Sequence, residues 1–139
     1  MEFTTRQPRP LAIVADDNAL IRLDAADILE DAGYTPVQVH HGDHAMSMLH
    51  EHHPHVQILF TDVQMPGGSR DGFALAREAA ACWPHIAIIV ASGELRPRPG
   101  DLPEGATFID KPFSADVVRD HLRKVVDDVK QPAALKLKD

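Results

Sequence analysis

Residues 58–66, ILFTDVQMP, decide the fold. Four strand-forming residues, Ile58 to Thr61, deliver one carboxylate, that of Asp62, to a turn that Pro66 helps to fix. An apolar run broken abruptly by an acid reads as a buried strand whose C-terminal end leaves the core. Open parallel sheets place their chemistry at such ends. Asp62 is therefore the candidate reactive group, a phosphoryl acceptor if neighbouring strand ends supply a metal site, a cation and a hydroxyl.

The same signature recurs on either side. Residues 11–15 are a continuous apolar run ended by Asp16 and Asp17, the pattern of a strand buried on both faces. From Asn18, a cap, to Ala32, the positions Ile21, Ala25, Ile28, Leu29 and Ala32 recur at helical spacing, and Gly33 stops the helix. Residues 35–39 form a second short strand and residues 42–53 a second helix. After Pro54 comes the third strand, 56–61, and the polar turn GGSRDG at 67–72 leads into a helix from about Asp71 to Trp83. Residues 86–90 are a fourth strand. The segment 93–105 holds three prolines and three glycines, which predicts a loop or a single turn. Residues 107–109 make a fifth strand, ended by Lys111 and Pro112. Ser114 then caps a helix with the stripe Val118, Leu122, Val125 and Val129.

Five strand–helix alternations with short connections predict an α/β fold, a parallel sheet covered by helices on both faces. Right-handed crossovers favour a flavodoxin-like, doubly wound (βα)5 order of 2-1-3-4-5, with the fourth helix short or absent. Residues 1–10 read as a flexible leader, 11–130 as the folded domain and 131–139 as a flexible tail.

The 139 residues suit one domain with its own core. No apolar run approaches the roughly 20 residues of a membrane span, and the N-terminus lacks a signal-peptide core, so a cytoplasmic protein without a membrane partner is expected. A net charge of −7 disfavours direct nucleic-acid binding, which needs clustered Lys and Arg, and favours a protein partner. The single cysteine, Cys82, excludes an internal disulfide and reads as buried filler beside Trp83.

In the expected topology Asp16, Asp17, Asp62, Ser92 and Lys111 all follow strands at one edge of the sheet. Three carboxylates held together repel one another, and a hard divalent cation such as Mg2+ resolves the repulsion. Lys111 adds a compact positive charge and Ser92 a small donor, which together could hold the oxygens of a transferring phosphoryl group. Singly, each residue is more simply a helix cap, a solvated turn or a surface lysine; their joint occurrence in this order is the signal.

With these motifs the sequence resembles the receiver domain of bacterial two-component response regulators over about residues 11–129. The resemblance is carried by Asp16-Asp17, by Asp62 followed by Met65-Pro66 and Asp71-Gly72, by Ser92-Gly93 and by Lys111-Pro112-Phe113. It implies that Asp62 takes a phosphoryl group from a phosphohistidine on a sensor histidine kinase or histidine phosphotransfer protein. Asp16, Asp17, Asp62 and the backbone carbonyl of Gln64 would bind Mg2+, Lys111 and Ser92 would bind phosphoryl oxygens, and Phe108 would be the aromatic that turns inward on activation. Phe108 reads equally as a strand core residue. The peptide before Pro112 is often cis in this family.

Two departures stand out. The connection from Pro66 to Asp71 is longer than in many receivers, and its GGSR at 67–70 suggests a mobile rim over the site. The proline-rich 93–105 replaces the usual fourth helix, and its Arg96 and Arg98 are solvated or contact an acidic partner. With about ten residues after the last helix, a stand-alone receiver is expected. It would not be an enzyme beyond its own phosphorylation and dephosphorylation. It would act by binding a downstream protein, by phosphorelay, or as a phosphate sink for a shared kinase.

Two other classes compete. A metal-dependent phosphatase of aspartyl-phosphate type would carry a second acid where Gln64 stands. A flavin module would need a Ser/Thr/Gly-rich loop in place of DDNAL at 16–20. Seven of the nine histidines lie between His40 and His55, and His40 and His44 have the spacing of a metal pair; solvent-facing histidines are the simpler account.

Overall fold

The computed structural model describes residues 9–137. The apolar runs form one parallel sheet, because strands joined through helices all run the same way. In chain order the elements are β1 (Leu11–Ala15), α1 (Ala19–Asp31), β2 (Thr35–Val39), α2 (Gly42–His52), β3 (Val56–Asp62), α3 (Gly72–Cys82), β4 (Ala87–Ser92), β5 (Thr107–Asp110), α4 (Ala115–Val125) and α5 (Ala133–Leu137). The strand order is β2-β1-β3-β4-β5, as expected. No helix lies between β4 and β5, where the prolines of 93–105 forbid one.

Alternate side chains of each central strand enter two separate cores, the consequence of a two-residue pleat between two helical layers. Ile13, Leu59 and Val90 pack with Leu49, Leu75 and Trp83 on the α2/α3 side. Val14, Phe60 and Ile89 pack with Leu29 and Leu122 on the α1/α4 side. Register then aligns the strand ends: Ala15 lies opposite Thr61, Asp62 opposite Ala91, and Ser92 opposite Asp110. The polar residues that follow must therefore emerge together.

Side-chain caps fix the helix starts, two of them, Asn18 and Ser114, read from sequence and the third, Asp71, standing where the helix was expected to begin. Asn18 Oδ1 accepts from Ile21 N at 3.1 Å, Asp71 Oδ1 from Ala74 N at 2.8 Å and Ser114 Oγ from Val117 N at 3.2 Å. α2 is capped less usually, by His41 Nδ1 accepting from His44 N at 3.2 Å. His40 and His44 face solvent.

Four expectations are corrected. α4 ends at Val125, and Val126 rather than Val129 continues the buried stripe; Val129 is 88% exposed because the α-helix ends before it and it falls in a separate 3-10 turn, Asp128–Lys130. Cys82 is exposed, since the neighbouring Trp83 takes the buried place at the end of α3. Of the expected flexible tail, residues 138–139 lie outside the described residues, while the part before them carries α5, whose Leu135 is fully buried with Leu29, Tyr34 and Leu122. Burial of one leucine is worth about 2 kcal/mol, and two arginines of α4 add hydrogen bonds to the carbonyls of α5. Arg119 Nη2 donates to Ala134 O at 2.6 Å and Arg123 Nη2 to Leu135 O at 3.1 Å. Gly33, at φ +105°, makes room for this docking, because a Cβ there would stand 2.5 Å from Pro132 Cβ. Of the expected leader, residues 1–8 lie outside the described residues, while Pro10 O accepts from Thr35 N at 2.9 Å. The fourth correction concerns the GGSR rim and belongs to the site.

Candidate functional site

Asp16 and Asp17 follow β1, Asp62 is the last residue of β3, Ser92 ends β4 and Lys111 follows β5. Aligned strand ends bring all five to the rim of one open cleft of about 740 Å³. Lys111 Nζ stands 2.8 Å from Asp16 Oδ2 and 3.0 Å from Asp62 Oδ1, and so bridges two buried carboxylates. Asp16 and Asp62 are 3% and 8% exposed, and Asp17 is exposed at the mouth. One carboxylate oxygen from each of Asp16, Asp17 and Asp62 lies within 4.8 Å of the others.

The charges do not balance. Burial raises the Asp62 carboxyl above the ordinary carboxylate range, and the nearby Asp16 charge adds to the rise. Hydrogen bonds from Lys111 and from Val63 N, at 2.8 Å, oppose it without cancelling it. Burial alone would lower the Lys111 ammonium, but its hydrogen bonds to Asp16 and Asp62 outweigh that and raise it, so it stays charged. Three carboxylates against one ammonium leave two negative charges facing the cleft. An all-oxygen, net-negative donor set half open to water fits Mg2+, which keeps several waters and prefers carboxylates.

Local backbone chemistry holds Asp62 in place. Gly72 N donates to Val63 O at 2.8 Å, drawing the start of α3 against the end of β3. A Cβ on Gly72 would be driven into the Asp62 carbonyl oxygen. Thr61 Oγ1 donates to that same oxygen at 2.8 Å.

The rim at 67–70 is anchored, which corrects the expectation of mobility. Asp43, at the start of α2, accepts from Ser69 N at 2.8 Å, from Ser69 Oγ at 2.9 Å and from Arg70 Nη1 at 2.7 Å. The Ser69 amide and hydroxyl hold the Asp43 carboxyl below its ordinary range. Arg70 Nε reaches Glu78 on α3 at 2.7 Å, so one guanidinium ties the rim to both flanking helices.

Ser92 is buried and its Oγ accepts from Leu95 N at 3.1 Å, pinning the start of the 93–106 loop. Phe108 is half-buried against the α2/α3-side core. Arg96 lies over its ring, 5.8 Å from the centroid, and pairs with Asp110 at 2.7 Å. Arg98 N donates to Asp101 Oδ2 at 2.8 Å in the same loop. The Gln64 side chain is exposed at the cleft. The Lys111–Pro112 peptide is cis. Sequence reasoning missed Arg70, Asp43 and Arg22, because long side chains that reach across elements leave no mark in local spacing.

Comparisons with known proteins agree with this geometry. The family model described as the response regulator receiver domain matches residues 12–123. The phosphate regulon transcriptional regulatory protein PhoB of Klebsiella pneumoniae is 36% identical over 105 residues, covering 73% of this chain and 45% of that protein. The transcriptional regulatory protein PdtaR of Mycobacterium tuberculosis is 37% identical over 109 residues, covering 73% and 49%. The chain thus spans about half the length of the curated relatives it matches. A crystal structure of a response regulator receiver protein from Sinorhizobium medicae superposes with a TM-score of 0.77 at 24% identity, covering 84% of this chain and 94% of that one, and shows the same fold. On the extent of the family match and the relatives together, the chain belongs to the receiver domain family of two-component response regulators.

Proposed function

We propose that Asp62 accepts a phosphoryl group from a phosphohistidine on a sensor histidine kinase or histidine phosphotransfer protein. The observation that carries this reading is the Lys111 bridge between Asp16 and Asp62 beside an exposed Asp17. Asp62 Oδ1 is occupied by Lys111 and Val63 N. Oδ2, without a hydrogen bond among the described residues, is the oxygen that attacks phosphorus. The phosphorus–nitrogen bond to imidazole breaks, its electrons stay on the ring, and an aspartyl phosphate forms.

Asp16, Asp17, Asp62 and the Gln64 carbonyl would hold Mg2+, which supplies charge neutralisation of the transferring oxygens. Lys111 releases Asp62 and takes a phosphoryl oxygen, which costs little because it exchanges one anionic partner for another. Ser92 turns its hydroxyl from Leu95 N toward a second oxygen, and Phe108, on β5, turns inward as the freed loop carries Arg96 off its ring. A hydrolase of aspartyl-phosphate type finds no support, since Gln64 stands where its second acid belongs. The modified protein acts on a downstream protein or passes the group on; service as a phosphate sink is the alternative outcome. A cytoplasmic site of action is part of the proposal, and among the described residues no helix is long and apolar enough to cross a membrane.

Phosphotransfer profiling against the labelled sensor kinases of the same genome tests it. One kinase is expected to transfer label rapidly to the wild type and none to Asp62→Asn. Label retained by every kinase, or accepted equally by Asp62→Asn, rejects the reading.

A further inference from the structure

Asp17 is the exposed member of the carboxylate trio, and no hydrogen bond reaches its carboxylate among the described residues. Its position must therefore be set through its backbone. The peptide joining Asp16 to Asp17 is planar, so holding its carbonyl oxygen fixes the direction in which Asp17 leaves the strand. One side chain holds that oxygen. Arg22 Nη1, from the first turns of α1, donates to Asp16 O at 2.8 Å. Arg22 Nε donates to Gln38 Oε1 at 3.2 Å, and Gln38 sits on β2 opposite Val14 of β1. The guanidinium thus spans from α1 to β2 and closes on the end of β1.

The other polar atoms of Asp16 are held as well. Its N–H donates to Val39 O at 3.2 Å, Oδ1 accepts from Asn18 N at 2.9 Å and Oδ2 from Lys111 at 2.8 Å. With Arg22 on the carbonyl, each polar atom of this residue has a partner, and Asp17 begins where that restraint stops. The fork suits the task, because a guanidinium offers several donors in fixed directions and an ammonium does not.

We propose that Arg22 is the positioning residue of the metal site: by clamping the Asp16–Asp17 peptide it aims Asp17 at the cation, with Gln38 aligning the guanidinium. The inference rests on the reading of Asp16, Asp17 and Asp62 as a Mg2+ site. Two roles for Arg22 differ in sign. As a bare charge it repels a cation, so its removal would tighten Mg2+ binding. As a clamp it preorganises a ligand, so its removal weakens binding; partners of metal ligands are typically worth about 10- to 100-fold in affinity.

NMR titration of the full chain with MgCl2, following the Asp17 and Gln64 amides, reads the difference. Arg22→Met and Arg22→Lys are each expected to weaken Mg2+ by about tenfold and to shift the Asp17 amide before metal is added. Gln38→Ala should weaken it less. If Arg22→Met does not fold, Arg22→Lys and Gln38→Ala decide the matter. Unchanged or tighter Mg2+ binding in Arg22→Lys overturns the proposal. A wild type that binds no Mg2+, or an Asp17→Asn variant that binds it equally well, overturns the metal reading itself and the positioning role with it.

Discussion

Lys111→Met costs the metal-free protein about 3 kcal/mol at neutral pH, the usual size of removing one partner from a buried ion pair. Lys111 stands 2.8 Å from Asp16 and 3.0 Å from Asp62, and both carboxylates are buried. Without the ammonium they face each other across a low-dielectric space. The sign of the pH dependence follows from Asp62, whose carboxyl burial already holds above the ordinary range while Lys111 pulls it down. Removing that pull raises it further, so the folded state binds a proton more readily than the unfolded chain. Stability is then fullest below the unfolded carboxylate pKa of about 4 and is lost as pH rises through the folded value. The defect should shrink on acidification, and Mg2+ should restore part of it at neutral pH by binding only the folded protein. Urea denaturation at pH 4 and pH 7, with and without MgCl2, measures all three. A pH-independent loss would mean that Lys111 acts through packing alone.

Gly72→Ala tests how the backbone holds Asp62. A side chain at this position collides with the Asp62 carbonyl oxygen and comes 2.8 Å from Val63 Cα, both main-chain atoms that no rotamer change can move aside. The cost is about 3 kcal/mol, the upper end for overpacking, and Asp62 shifts with its strand end. Since a small displacement of a reacting group can cost orders of magnitude in rate, phosphorylation of Asp62 should slow by at least about tenfold. Gly105→Ala is the control: its φ is +87° but nothing lies within 4 Å of the added Cβ, so only the conformational penalty of about 1–2 kcal/mol applies. Equal phosphorylation rates in the two variants would contradict the linkage between Gly72 and Asp62.

The sheet was legible because its strands are buried on both faces and read as unbroken apolar runs ending in acids. Asn18 and Ser114 announced their helices by local hydrogen bonding, which sequence spacing encodes directly. The carboxylate trio and Lys111 were legible for a related reason: each follows a strand, and parallel topology converts that into proximity. What stayed hidden depends on reach or on one anchoring residue. Arg22 and Arg70 work across elements at distances that no period describes. The segment at Ala133–Leu137 is too short for a helical pattern, and its order comes from Leu135 entering a pocket made by α1 and α4. Val129 failed as a core residue because the periodic stripe was extended through a helix end that carries no glycine or proline to mark it.

That Asp62 is the phosphoacceptor is tested most directly by intact-mass and peptide mass spectrometry after incubation with acetyl phosphate and Mg2+. One phosphoryl group should appear, on the peptide containing Asp62, and both EDTA and Asp62→Asn should abolish it. An unchanged mass under these conditions, or a phosphoryl group located on any other residue, contradicts the account.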